Sequence, residues 1–252
     1  MSGLKPKRKT VSILRLVAGV ALLAMGGCES IGMVKFQCAG PVPREDTLNA
    51  WWYASFRVNW PLDEEDPAFD TDVLIAHRIV GPVLDLYGKQ ILLWRFHRRA
   101  ARDEAGHRFS FIFYTTGTNA RKIYTAIDSS EVLKQLKAEG VIQQVVLDDT
   151  STIGRPGVEA TSDRNWSPQL QKAWPFFIMG VSQTWLDLIA RYAEDGRRKP
   201  ASIAEMRAFY REISQEVEST WKKEGGHAFL HHLNALFGYG PVNLRGKLEM
   251  SF

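Results

Sequence analysis

The chain has 252 residues and a formal net charge of +4, from 32 Lys and Arg against 28 Asp and Glu. Five of the basic residues and none of the acidic ones lie in the first 27 positions, so the rest carries 32 − 5 = 27 basic against 28 acidic residues, or −1. A nearly neutral net charge gives no support for a nucleic-acid-binding footprint, and we expect no nucleic-acid partner. About 225 residues are enough for one large domain or two small ones.

The N-terminal segment has the pattern of an export signal. Basic residues around Lys7 are followed by the apolar stretch 16–25, which is shorter than the roughly 20 residues of a membrane-spanning helix. The sequence Met25-Gly26-Gly27-Cys28 comes next and resembles the lipobox of bacterial lipoproteins. That resemblance implies that residues 1–27 are a signal peptide and that Cys28 is acylated, which would anchor the protein in a membrane.

Two further expectations follow for the region after the lipobox. The residue after Cys28 is Glu29 rather than Asp, and by the same resemblance this favours the periplasmic face of the outer membrane. Residues 28–49 contain Gly and Pro without periodicity, which predicts a tether. Cys38 is then the only free thiol, so we expect no intramolecular disulfide.

Residues 50–149 alternate between strand and helix patterns. Trp51–Trp60 and 141–147 predict single strands, and Ile91–Thr115 predicts a hairpin. A helical pattern over 72–87 is interrupted at Gly81-Pro82, and 119–139 predicts one broken helix or two, with Ser129 or Ser130 as a new N-cap. The resulting βαββαβ order predicts an α+β fold with a four-stranded antiparallel, ferredoxin-like sheet.

One face of this sheet is predicted to form the core. Alternation places a set of large apolar side chains together on that face: Trp52, Phe56, Leu92, Trp94, Phe96, Phe109, Phe111 and Phe113. At the hairpin end, the acidic loop residues 63–66 should approach Arg98, Arg99 and Arg102, because both loops lie at the same end of the sheet.

Residues 150–252 are predicted to be a C-terminal helical extension packed on the same core. Ser167-Pro168 marks one helix start, and Ser202 with Glu205 forms a capping box at the next. A shorter helical pattern follows over His227–Leu236.

The opposite face of the sheet is the candidate binding site. It carries Tyr53, Arg57, Arg95, His97 and Tyr114, together with Trp51. Guanidinium groups beside aromatic rings suit an anionic or aromatic ligand. The alternative is that the C-terminal helices cover this face with Trp174, Trp185 and Trp221 and that its polar groups pair internally.

The remaining candidates for chemistry are few. His227 and His231 are four residues apart on one helical face, a spacing that can hold a metal ion or serve a purely structural role. We find no catalytic constellation and expect neither catalytic residues nor a cofactor. The first functional expectation is a non-catalytic envelope component that binds another protein or a cell-surface polymer. The alternative is an anionic-ligand-binding or enzymatic domain that uses the open sheet face.

Overall fold

A computed structural model describes residues 47–195 and 200–238, which fall within one compact unit. The predicted signal peptide 1–27, the acylated Cys28, Cys38 and the tether up to residue 46 lie outside the described residues.

Four strands form one antiparallel sheet, as expected for an α+β fold. They are β1 (Asn49–Val58), β2 (Leu93–Arg99), β3 (His107–Thr116) and β4 (Ile142–Leu147). The spatial order is β2-β3-β1-β4, so β1 and β3 are central while β2 and β4 form the edges. The hairpin predicted over Ile91–Thr115 is the β2–β3 pair.

Two broken helices connect the strands. The first comprises α1 (Phe69–Ile75), a π-helical turn (Ala76–Val80) and α2 (Gly81–Tyr87), followed by a 3₁₀ turn over Gly88–Gln90. Pro82 has no N–H to donate, and the chain accommodates it at the start of α2, just after the π-helical turn. The second comprises α3 (Gly117–Asp128) and α4 (Glu131–Ala138), and the Ser130 hydroxyl accepts from the Leu133 N–H at 3.3 Å to cap α4.

The predicted core face is confirmed, with one exception. One buried cluster contains Trp52, Phe56, Trp94, Phe96, Phe109, Phe111 and Phe113. Leu92 is 56 % exposed, because β2 begins only at Leu93 and the alternation does not extend back to it. The prediction for Leu92 is therefore wrong.

The C-terminal helices pack on the same core. They are α5 (Pro168–Asp195), α6 (Ile203–Gly225), a π-helical turn (Gly226–His231) and α7 (His232–Leu236), and a 3₁₀ turn over Val158–Thr161 precedes them. The Ser202 hydroxyl caps α6 by accepting from the Glu205 N–H at 3.2 Å, as the capping box predicts. Side chains from α5 and α6 join the core cluster: Leu186, Ile189, Ile203, Met206, Tyr210, Ile213 and Val217.

Helix α5 covers the outer edge of the sheet. The backbone N–H of Phe96, on edge strand β2, donates to the Ser182 hydroxyl at 3.1 Å. The Trp185 ring lies edge-on to the Phe96 ring on the core side, at 5.5 Å between centroids. The helix therefore satisfies part of an edge that could otherwise pair with another strand.

At the hairpin end, the loop after β1 meets the β2–β3 connection as predicted, but through different groups. Arg102 donates to the carbonyls of Trp60 and Pro61 at 3.2 and 3.0 Å and lies 3.5 Å from the Trp60 ring centroid. The four side chains of residues 63–66 are exposed. Backbone oxygens and an aromatic ring, rather than carboxylates, hold this arginine.

Candidate anion-binding face

The second face of the sheet is built from cross-strand rows. Side chains alternate along each strand, so residues paired across β1, β3 and β2 stand side by side on this face. From one end to the other the rows are Trp51–Tyr114–Leu93, Tyr53–Ile112–Arg95, Ser55–Ser110–His97 and Arg57–Arg108–Arg99. The face thus changes from aromatic and apolar at the start of β1 to cationic at its end.

The aromatic half of the face is covered. Trp51, Leu93, Ile112 and Tyr114 are buried as a second cluster, against Val158 and Met179. The Trp51 Nε1–H donates to the Val158 carbonyl at 2.9 Å, and the Tyr114 hydroxyl donates to the Pro156 carbonyl at 2.6 Å. Burial raises the pKa of Tyr114 above its ordinary value. Tyr114 is therefore packed into the protein rather than open to a ligand.

Tyr53 is also engaged within the protein. Its ring is half-buried, and the Arg155 guanidinium lies 4.2 Å from the ring centroid. Its backbone N–H donates to a carboxylate oxygen of Asp148 at 2.9 Å. The irregular segment that follows β4 supplies these contacts, and it has no periodicity from which its path could be predicted.

The C-terminal tryptophans divide between the two faces. Trp174 of α5 lies over Arg95 on the second face, whereas Trp185 packs against Phe96 and Phe109 on the core face. Trp221 is largely exposed and stacks on Phe229. Of the three tryptophans considered as a cover for this face, Trp174 alone contacts one of its predicted ligand-binding residues in the described chain.

The cationic half presents three arginines in one row. Arg57 pairs in register with Arg108, which pairs with Arg99. Because neighbouring strands are about 4.8 Å apart, the Cα atoms of the three arginines lie within about 10 Å of one another. Like charges directly opposite one another destabilise a sheet, so this row carries an electrostatic cost in the unliganded protein.

The row is only partly neutralised. Arg99 donates to Asp103 at 3.0 Å, and this hydrogen bond is the main reason why the pKa of Asp103 falls to about 2. The Arg108 Nε–H donates to the Ala105 carbonyl at 2.9 Å. Within the described ranges, the Arg57 side chain has no hydrogen-bond or ion-pair partner.

Arg95 lies at the border between the covered and open halves. The residue is only 8 % exposed, yet among the described residues it has no acidic partner, and its Nε–H has no acceptor. Its guanidinium carbon lies 5.0 Å from the centroid of the Trp174 ring. Burial lowers the pKa of Arg95, because desolvation disfavours the charged form.

His97 lies between Arg95 and Arg99 on β2 and is exposed. Its pKa is below the ordinary value of 6.5, first through desolvation and then through the positive charges of Arg95 and Arg99. A bound anion would offset both charges and favour the protonated ring. We name the five residues Arg57, Arg95, His97, Arg99 and Arg108 the arginine face.

The sequence prediction omitted Arg99 and Arg108 from this site. Alternation along the strands is enough to place both on the correct face, but only the cross-strand register brings them into one row with Arg57. A cleft of about 270 Å³ opens at the same end of the sheet. Its lining includes Arg57, Trp60, Leu62, Arg102, His107 and Gln143.

The buried polar pair Asp72 and His107 was also not predicted from the sequence. Asp72 on α1 accepts from the Arg98 Nε–H at 2.8 Å, and its other oxygen lies 2.9 Å from His107 Nε2, without hydrogen-bond geometry. The side chains of Asp72 and His107 are fully buried. The contact ties α1 to the start of β3.

The predicted metal ligands lie near the end of the described chain. His227 and His231 are exposed on the π-helical turn, with their rings stacked at 5.2 Å between centroids. Residues 47–195 and 200–238 contain no group of three or more His, Cys, Asp or Glu that could hold a metal ion. Metal binding by this pair stays a prediction.

None of the helices in the described ranges has both the length and the apolarity needed to cross a bilayer. No family model, curated protein or solved structure matches the chain.

Proposed function

We propose that this protein is a non-catalytic component of the bacterial cell envelope that binds an anionic polymer through the arginine face. The observation that carries the proposal is the row Arg57–Arg108–Arg99, with Asp103 as its one acidic contact in the described chain. Planar guanidinium groups bind phosphate, carboxylate and sulfate groups bidentately. A row about 10 Å long can contact successive anionic groups of one chain.

Two features favour binding over catalysis. Arginine is effectively always protonated and does not transfer protons at neutral pH. The described residues that most resemble a catalytic dyad, Asp72 and His107, have fully buried side chains beside Phe69, and alternation along β3 puts His107 on the core face, opposite to Arg108. Among the described residues of this face and its contacts, the accessible groups that can act as a base are His97 and the Asp103 carboxylate, and Asp103 is paired with Arg99.

We further propose that residues 50–149 form a ferredoxin-like unit. The order of the elements, the strand order β2-β3-β1-β4 and the antiparallel pairing throughout support this topology. The sheet then has helices on one face, and the other face remains available except where residues 155–161 and α5 lie across it.

The proposed location rests on the lipobox. Acylation of Cys28 would anchor the chain, the tether would hold the domain away from the lipid, and Glu29 favours the periplasmic face of the outer membrane. Anionic polymers with phosphate or carboxylate groups are abundant in envelopes, and an arginine row suits them chemically.

Binding of a polyanion tests the proposal. Dextran sulfate is the probe, and uncharged dextran of the same chain length is its matched control. We expect dextran sulfate to bind and its affinity to fall as salt is raised, because exposed charges are screened over about 10 Å at 0.1 M salt. Equal affinity for both polymers, or an affinity that does not depend on salt, would contradict the proposal.

A further inference from the structure

The first half of helix α5 has an outer face on which large apolar side chains are about half exposed in the described chain. Between Lys172 and Asp187 the helix carries no Asp, Glu, Lys or Arg, over roughly 14 residues or about 21 Å. Pro175, Ser182 and Leu186 are buried on the inner side. Four large apolar side chains lie on the outer side: Leu170, Phe176, Phe177 and Val181, exposed by 46, 58, 48 and 47 %.

This outer face differs from that of the neighbouring helix. On α6 the exposed positions include Arg211, Glu212, Glu216 and Lys222, which is the usual pattern for a helix that faces water. A contiguous exposed apolar patch is typical of a surface that contacts protein or lipid. The outer face of α5 therefore has no covering partner within residues 47–195 and 200–238.

The residues around this face match a helix that lies in a membrane interface. Trp166 and Trp174 are half-buried at its N-terminal end, with ring centroids 5.3 Å apart. Arg164 and Lys172 are exposed beside them. Interfacial helices combine an apolar face with tryptophans and basic residues at its border, where the headgroups lie.

The position of α5 in the fold is consistent with a lipid surface as the partner of its outer face. Met179 packs against Trp51 and Tyr114 near the start of β1, where the preceding chain joins the described domain. The roughly 20 residues between Cys28 and Asn49 reach at most about 70 Å when fully extended. An acylated Cys28 would thus keep the domain near a lipid surface and within reach of it for this face.

We propose that the outer face of the first half of α5 lies on the lipid surface, with Phe176 and Phe177 inserted at the level of the headgroups and upper acyl chains. This inference rests on the membrane anchoring in the proposed function and is independent of anion binding. A second copy of the chain is a poorer partner, since four exposed side chains on one helix are far fewer than the 20–30 residues per side of a typical stable interface.

Site-specific labelling of the full-length, acylated protein in vesicles tests the inference. The background variant is Cys38→Ser, in which acylation blocks the remaining cysteine. An environment-sensitive fluorophore is attached at Phe177→Cys, or at Gln215→Cys on the exposed side of α6 as the matched control. Vesicles of zwitterionic lipid contain a spin-labelled lipid as the quencher.

We expect the label at position 177 to be quenched at least about threefold more strongly than the label at 215, because only the first reaches the acyl chains. Equal quenching in protein that floats with the vesicles would overturn the inference alone. A label at 177 that is shielded from water yet not quenched by lipid would show a protein partner, such as a second copy, and would also overturn it. Protein that does not float would overturn the anchoring as well.

Discussion

Replacing Arg95 with Met should make the protein more stable and weaken its binding of anions, because the buried guanidinium adds positive charge next to the open arginines rather than contacting the ligand directly. Arg95 is 8 % exposed and has neither an acidic partner nor an acceptor for its Nε–H among the described residues. A buried, unsatisfied donor lowers the free energy of unfolding by about 1–3 kcal/mol, and the cation–π contact with Trp174 offsets about 0.5–1 kcal/mol of this loss. Met keeps most of the apolar stem, so the packing loss that an Ala substitution would cause is avoided.

From these terms we expect Arg95→Met to raise the free energy of unfolding by about 1–2 kcal/mol. In a domain of this size, each kcal/mol shifts the melting temperature by about 2–4 °C. Urea unfolding followed by circular dichroism measures the stability, and titration with dextran sulfate measures the affinity. Gln183→Met, at an exposed position of α5, controls for the added methionine.

The two readouts distinguish a binding residue from a structural one. A buried charge that supports anion binding at the expense of stability gives a higher free energy of unfolding and a lower affinity when it is replaced. If Arg95→Met lowers the free energy of unfolding by more than about 1 kcal/mol, the guanidinium contributes to the fold, and the reasoning is refuted.

Four further predictions concern the core, the buried pair, pH and the anchor. Phe111→Ala should lower the free energy of unfolding by about 3–5 kcal/mol in urea, because this fully buried ring leaves a cavity; a loss below about 1 kcal/mol would refute the assigned core face. Asp72→Asn should lower it by about 1–3 kcal/mol by removing the carboxylate beside Arg98 and His107, and an unchanged urea midpoint would contradict this role. The affinity for dextran sulfate should rise as the pH falls from about 7.5 to about 5.5, and the affinity of His97→Gln should not change over this range. The reason is that the pKa of His97 is lowered in the free protein and should be raised by a bound anion, so binding takes up a proton. Cys28→Ser should give a soluble or unprocessed product on cell fractionation, and a fully cleaved Ser variant that still fractionates with membranes would contradict the anchor.

Periodicity was enough to predict the elements of the sheet and its core face. The alternation of Trp94 and Phe96 with Phe111 and Phe113 is strong because a one-residue slip would move every ring into water. The same rule fails at Leu92, where the strand has not yet begun. Alternation identifies which residues share a face but does not identify where pairing starts.

The cover over the second face could not be predicted from the sequence. Residues 155–161 have no period, and their contacts with Trp51 and Tyr114 are long-range hydrogen bonds to backbone carbonyls. Backbone acceptors are present at every residue, so the sequence does not show which of them a buried hydroxyl or indole will find. For this reason Tyr53 and Tyr114 were predicted as ligand contacts, although the structure packs both against this segment.

The arginine row was missed for a related reason. Each of Arg57, Arg99 and Arg108 lies near the end of a strand, and alternation alone leaves the spacing between strands open. The pairing Arg108–Arg99 depends on the length of the β2–β3 connection, which Asp103 and Gly106 help to shape: the Asp103 carboxylate accepts from the Gly106 N–H at 3.1 Å. The pairing Arg57–Arg108 depends on the separate β1–β3 register. The sequence shows directly which residues are arginines, but it does not show which of them become neighbours across strands.

The measurement that tests the account most directly is the affinity of paired arginine variants for dextran sulfate. Arg57→Gln/Arg108→Gln removes two guanidinium groups from the row, and Arg121→Gln/Arg191→Gln removes two exposed ones from α3 and α5, with the same change in net charge. At about 0.7 kcal/mol for each exposed contact, the first pair should lose about 1.4 kcal/mol, or tenfold in affinity, while the second should change less than about twofold. Equal losses in the two pairs would show that binding follows net charge alone, and the assignment of the arginine face would be wrong.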